Sequence, residues 1–216
     1  MKEIFENVFE DGGRLLTKNK VPGIKVYGEN LIKIKGTEYR AWNPKRSKLA
    51  AAIKKGLKNN PIHPDSTILY LGASTGTTPS HLSDILTHGG LYGVEISAHS
   101  MKSLLRLCER RENIIPILAD ARQPHKYEEV GKVDVVYEDV ASPEQAEILL
   151  KNCRMFLKKG GYAMIAIKSQ SIDVTQKPEE TYKQFKEELS KELDLVEEVN
   201  LEPLEKDHLF LVLQKK

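Results

Sequence analysis

Thr67-Ile68-Leu69-Tyr70-Leu71-Gly72-Ala73-Ser74-Thr75-Gly76-Thr77-Thr78 is a short apolar run followed by a loop of small residues. The run has the length of a buried strand, and residues 79–87 continue as a helix. A small-residue loop between strand and helix lets a ligand approach the backbone closely. It is not the G-x-G-x-x-G dinucleotide fingerprint, and it lacks the lysine of a phosphate loop. A helix N-terminus without that lysine suits a carboxylate or a neutral ligand as well as a phosphate.

Downstream, strands and helices alternate. Strands are expected at 91–95, 114–118, 133–137 and 162–168, with helices at 97–110, 144–157 and 179–193. Two late strands, 195–200 and 209–213, are separated by a loop and should pair antiparallel. This order predicts an α/β fold with a mostly parallel sheet covered by helices on both faces. Upstream, residues 4–35 predict a small antiparallel β-sheet. Its expected strands include Arg14–Thr17, Ile24–Tyr27 and Leu31–Ile34, punctuated by Asp11-Gly12-Gly13 and Gly28-Glu29-Asn30. Residues 47–57 have helical periodicity and end at Asn59-Asn60-Pro61. The expected division is a small β domain over 1–40 and the larger α/β domain over 41–216.

Ligands of open parallel sheets sit beyond the carboxyl ends of the strands. There the sequence places Glu95, 23 positions past Gly72, then Asp120-Ala121 and then Asp139. An acid at the first of these positions can accept from a ribose diol, and one at the second from an adenine amino group. Three acids after successive strands, with a glycine loop free of lysine, fit an adenosine ligand that brings no phosphate. S-adenosylmethionine is such a ligand, and its sulfonium cation tolerates acids nearby. The alternative is that these acids cap the following helices.

Composition bounds the rest. The chain has 216 residues, 40% hydrophobic and 30% charged, with 14 glycines and 10 prolines, which excludes collagen-like and low-complexity chains. No apolar run approaches the ~20 residues of a spanning helix, so no membrane association is expected. Acids interrupt Met1-Lys2-Glu3-Ile4-Phe5-Glu6 where a secretory signal would be apolar. The cysteines Cys108 and Cys153 have no metal or disulfide spacing, and the histidines none for a metal, so a cytoplasmic, metal-free protein is expected. Net charge is only +2, yet residues 1–60 hold 14 Lys/Arg against 6 Asp/Glu. Arg40, Lys45, Arg46 and Lys48, beside Tyr39 and Trp42, read as a cation–aromatic cluster suited to phosphates and bases. Arg110-Arg111 reads as the basic end of a helix.

Five segments resemble the fibrillarin family, in its archaeal type: Tyr39 to Ile53, Leu69 to His81, Tyr92 to Ser97, Ala119 to Pro124, and Asp139 to Ala141. The resemblance covers nearly the whole chain. It departs at Ser142, where the family has glutamine, and at Tyr137-Glu138. It implies a Rossmann-like methyltransferase fold with seven strands, the last antiparallel, and S-adenosylmethionine-dependent methylation of ribose 2′-hydroxyls in ribosomal and transfer RNA. It also implies partners: a box C/D guide RNA, a Nop-type scaffold protein and a kink-turn-binding ribosomal-type protein. By resemblance, Gly72 belongs to the cofactor loop, and Thr77 and Thr78 contact the cofactor's amino-acid end. Glu95 and Ile96 hold the ribose, Asp120 and Ala121 the adenine, and Asp139, Val140, Ala141 and Ser142 line the methionine side. The catalytic set it implies is Lys48, Asp139, Lys168 and His208. Asp139 would orient Lys168, which acts either as proton acceptor or as a fixed cation at the developing alkoxide. Two other classes remain open: a stand-alone small-molecule methyltransferase, which the basic N-terminal third opposes, and a non-catalytic RNA-binding scaffold, which the joint presence of Glu95, Asp120, Asp139 and Lys168 opposes.

Overall fold

Strand β6 (Thr67–Leu71) lies in the interior of a seven-stranded sheet, its side chains alternating between two cores. Ile68 and Tyr70 face one core, and Leu69 and Leu71 the other. The computed structural model describes residues 1–169 and 178–216. Around β6 are β7 (Gly90–Glu95), β8 (Ile114–Leu118), β9 (Val133–Glu138), β10 (Leu157–Lys168), β11 (Leu193–Asn200) and β12 (His208–Lys215), in the order β11-β12-β10-β9-β6-β7-β8. β12 runs antiparallel to both of its neighbours, and the remaining pairs are parallel. The expected mostly parallel seven-stranded architecture is therefore present. From β6 the chain runs outward through β7 to β8 and then crosses back to β9 on the other edge of β6, and this reversal creates a crevice at the strand ends.

The helices are α1 (Lys48–Lys54), α2 (Thr77–Ile85), α3 (Ala98–Cys108), α4 (Gln145–Phe156) and α5 (Pro178–Leu189). α1, α2 and α3 pack on one face through Leu49, Leu82 and Leu104. α4 and α5 pack on the other through Leu149, Phe185 and Leu189. Full burial of such a side chain contributes roughly 1.5–3 kcal/mol, so both faces of the sheet are committed to the interior and ligands are left its end.

The N-terminal sheet is five-stranded and antiparallel: β1 (Lys2–Phe5), β2 (Val8–Asp11), β3 (Arg14–Lys18), β4 (Leu31–Ile34) and β5 (Thr37–Ala41), in the order β1-β2-β3-β5-β4. Two expectations need correction. Residues Ile24–Tyr27 form no strand. The Glu29 carboxylate accepts from the Val26 and Tyr27 amides at 3.0 and 2.8 Å and holds this segment as a loop. β5, not anticipated, instead occupies the place between β3 and β4.

The cation–aromatic surface cluster is also corrected. Arg40 and Trp42 are fully buried, and Tyr39 is buried to all but 7%. Arg40 Nε lies 2.6 Å from Glu29 and its Nη1 lies 2.9 Å from Asp84. Arg111, read as part of the basic end of a helix, is buried too and meets Asp84 at 2.6 Å. Between these groups sits His81, stacked on Trp42 at 4.9 Å. Its Nδ1 contacts Thr17 Oγ1 at 2.7 Å and its Nε2 contacts Tyr27 Oη at 2.8 Å. Burial and the two neighbouring guanidinium groups push its pKa well down, so it is a neutral ring. The network welds the N-terminal sheet to α2. Arg40 also donates to the Ser80 carbonyl and hydroxyl, three residues into the helix that follows the glycine loop.

Candidate active site

The turn after β6 needs glycine. Gly72 has φ +82°, and a Cβ there would lie 2.7 Å from the Asp139 carbonyl oxygen. The glycine loop thus runs against the backbone that follows β9. At Gly76, φ +89°, a side chain would collide with Leu107 of α3. Each glycine closes one wall of the site.

Where β6, β7, β8 and β9 end, a cleft of about 230 Å³ opens. Gly72, Glu95, Ile96, Asp120, Ala121 and Ser142 line it, with Val140 and Ala141 completing the wall. Glu95 is 8% exposed. One of its oxygens accepts from the Ser74 amide and the other from the Ser97 amide, both at 2.7 Å. Each oxygen keeps a second lone pair for a ligand. Ile96, 61% exposed, offers an uncovered apolar side chain. Asp120 is held by Arg122 in a forked pair of 2.8–3.1 Å, and that bonding lowers its pKa. Ala121 is fixed through its carbonyl, which accepts from Asn152 at 2.9 Å.

The helix-capping alternative is not realised at either aspartate. α3 is capped by Ser97, the turn after Asp120 begins at Gln123, and α4 begins after Glu144. Thr78 is buried and its hydroxyl donates to Ser47 Oγ at 3.0 Å. Thr77 opens onto a neighbouring, larger groove rather than onto the cleft.

Beside the cleft, Lys48 Nζ lies 3.0 Å from Asp139 Oδ1, a pair neither fully buried nor freely solvated. Asp139 was expected to orient Lys168; in the structure it holds Lys48. Lys168 is exposed at the end of β10 and forms no ion pair among the described residues. His208 is its cross-strand partner. The imidazole is 8% exposed and its Nδ1 lies 2.6 Å from the Lys206 carbonyl, so Nδ1 carries a proton and donates it there.

Ser47 was missing from the expected set. Its hydroxyl caps α1 by accepting from Ala50, and the Thr78 bond ties that cap to the start of α2. A serine just before an apolar helical period was the available signal. Glu138 precedes Asp139 at the end of β9. It is fully buried with both oxygens unbonded, and burial followed by the Asp139 charge pushes its pKa well up, so it is a neutral acid. Among the described residues no group of His, Cys, Asp and Glu could hold a metal.

The switch-point crevice, its ribose-height carboxylate and its lysine-free glycine loop define a Rossmann-like methyltransferase of the S-adenosylmethionine-dependent class. The model of the fibrillarin family matches residues 1–216, and the chain belongs to that family. A fibrillarin-like rRNA/tRNA 2′-O-methyltransferase of Methanocaldococcus jannaschii is 58% identical over 219 residues, covering 98% of this chain and 95% of that protein. The structure of Aeropyrum pernix fibrillarin with natively bound S-adenosyl-L-methionine superposes with a TM-score of 0.86 at 48% identity, covering 93% of this chain and 88% of that one. The fibrillarin of a fibrillarin/Nop5p complex superposes at 0.93 with 42% identity over the whole of both chains.

Proposed function

We propose that this chain transfers a methyl group from S-adenosylmethionine to ribose 2′-hydroxyls of ribosomal and transfer RNA. It does so as the catalytic subunit of a box C/D ribonucleoprotein, beside a Nop-type scaffold and a kink-turn-binding protein, with the guide RNA choosing the nucleotide. The observation that carries this reading is the Lys48–Asp139 pair at 3.0 Å, set against the rim of a cleft that contains Glu95. A surface with a net charge of only +2 suits an enzyme whose target is selected by base pairing. Among the described residues no helix is long and apolar enough to cross a membrane.

The cleft suits this cofactor. Its one guanidinium, Arg122, is neutralised by Asp120, so no free cation opposes a sulfonium. Glu95 has lone pairs for the ribose diol, and Ile96 has an open apolar face for the adenine. When bound, S-adenosylmethionine supplies an electrophilic methyl group.

The protein's task is then to align a weak nucleophile and take its proton. Lys48, held by Asp139, positions the incoming ribose or its phosphate. Lys168 accepts the 2′-hydroxyl proton. Asp139 is already engaged by Lys48, so no carboxylate among the described residues holds the Lys168 ammonium. His208 buttresses Lys168 from the next strand. The test is to assemble the protein with scaffold, kink-turn protein, guide and target RNA, and to map where a labelled methyl group arrives. Label on the guide-matched ribose is expected; label on a base, or on no RNA, overturns the reading. In the same assembly Lys168→Arg, which keeps charge but cannot give up its proton, should abolish transfer with cofactor affinity intact. Near-native turnover would contradict the proton-acceptor role.

A further inference from the structure

A second groove, larger than the cofactor cleft, lies on the same molecule. It measures about 470 Å³ and lies between the 21–27 loop, the segment before α1, the glycine loop and α3. Lys25, Arg46, Arg106 and Arg110 line it, and no carboxylate does. None of these four cations forms an ion pair among the described residues. Elsewhere on the surface many cations are matched: Lys54 with Glu10, Lys158 with Asp134, Lys186 with Glu198. The one further basic residue of the groove, Arg111, is buried and neutralised by Asp84. The groove therefore presents a net charge near +4 against an almost neutral whole. Arg46 also stands 5.7 Å above the Tyr27 ring, a planar cation on a planar face.

Its position gives this charge a meaning. Thr75 and Thr77, on the groove wall, belong to the same loop and helix start as Gly72. Arg46 lies two residues before Lys48. The groove thus adjoins the glycine loop and the segment leading to Lys48, and extends from there along α3.

We propose that this groove binds the sugar–phosphate backbone of the RNA flanking the methylated nucleotide. The proposal rests on the RNA-methyltransferase reading above. Arginine forks match phosphate oxygens, and contacts of this kind fix register without reading sequence. The groove would hold the ribose in line while guide pairing selects it.

The test uses Arg106→Gln/Arg110→Gln, two exposed positions outside the cofactor cleft. Binding of a labelled guide–target duplex to the protein is measured between 50 and 200 mM salt, with methylation by the assembled particle in parallel. Loss of two phosphate contacts should reduce the slope of log affinity against log salt by about 1.4–1.8. The fourfold salt step should then cost the variant about tenfold less affinity than it costs the native protein. Weakening should be similar for unrelated duplex sequences, methylation should fall, and cofactor affinity and melting temperature should stay native. An unchanged slope and rate overturns the proposal, provided the native particle methylates ribose; a native particle that does not methylate ribose instead removes the reading beneath it. Loss of scaffold capture with native duplex binding also overturns it, in favour of a protein-docking groove.

Discussion

Replacing Glu95 with alanine should separate two things this carboxylate does. It accepts from the Ser74 and Ser97 amides at 2.7 Å each, which braces the glycine loop and the start of α3. Its remaining lone pairs face the cleft. A hydrogen bond to a charged group is worth about 1.5–3 kcal/mol. Losing the contact to one ribose hydroxyl therefore raises the cofactor Kd roughly 10- to 150-fold, and losing both hydroxyls raises it further. Two part-buried amides lose their acceptor as well, which lowers stability to the extent that water does not replace it. Calorimetric titration of the folded protein reads the first effect, and thermal melting reads the second. The ribose itself can be isolated by titrating adenosine against 2′,3′-dideoxyadenosine. Native protein should prefer adenosine by at least tenfold, and Glu95→Ala should bind the two alike. If the variant keeps the preference, Glu95 only braces the loop and the ribose assignment is refuted.

Arg40→Met should cost about 3–5 kcal/mol in urea unfolding, because it leaves Glu29 buried without its guanidinium partner; a loss under about 0.5 kcal/mol with weakened RNA binding would restore the surface-cluster view. Glu138→Gln should gain stability over the native protein as pH rises. The folded acid keeps its proton while the unfolded one ionises above its ordinary pKa, so native stability falls by up to about 1.4 kcal/mol per pH unit above that value. Melting of both proteins from pH 4 to 8 checks this, and parallel curves would contradict it.

The parallel sheet was legible because its strands are continuous apolar runs separated by helical periods, and local pattern decides such elements. The acids beyond the strand ends were legible for the same reason: once β7, β8 and β9 are placed, Glu95, Asp120 and Asp139 follow by position. Arg40 was misread because its burial depends on Glu29 and Asp84, 11 and 44 residues away. Without those partners an arginine between Tyr39 and Trp42 has the pattern of an exposed nucleic-acid contact. The partner of Asp139 depended in the same way on Lys48, 91 residues distant. Charge pairing inside a fold is a property of three-dimensional neighbours, whereas amphipathic period is carried by the chain itself.

The most direct test of the central claim is a crystal structure of this protein with S-adenosylmethionine bound. The account predicts the ribose on the Glu95 carboxylate, the adenine beside Ile96 and Ala121, and the methyl group turned toward the Lys48–Asp139 pair with Lys168 Nζ facing it. A cofactor seated away from Glu95, or a methyl group facing away from Lys168, would contradict it.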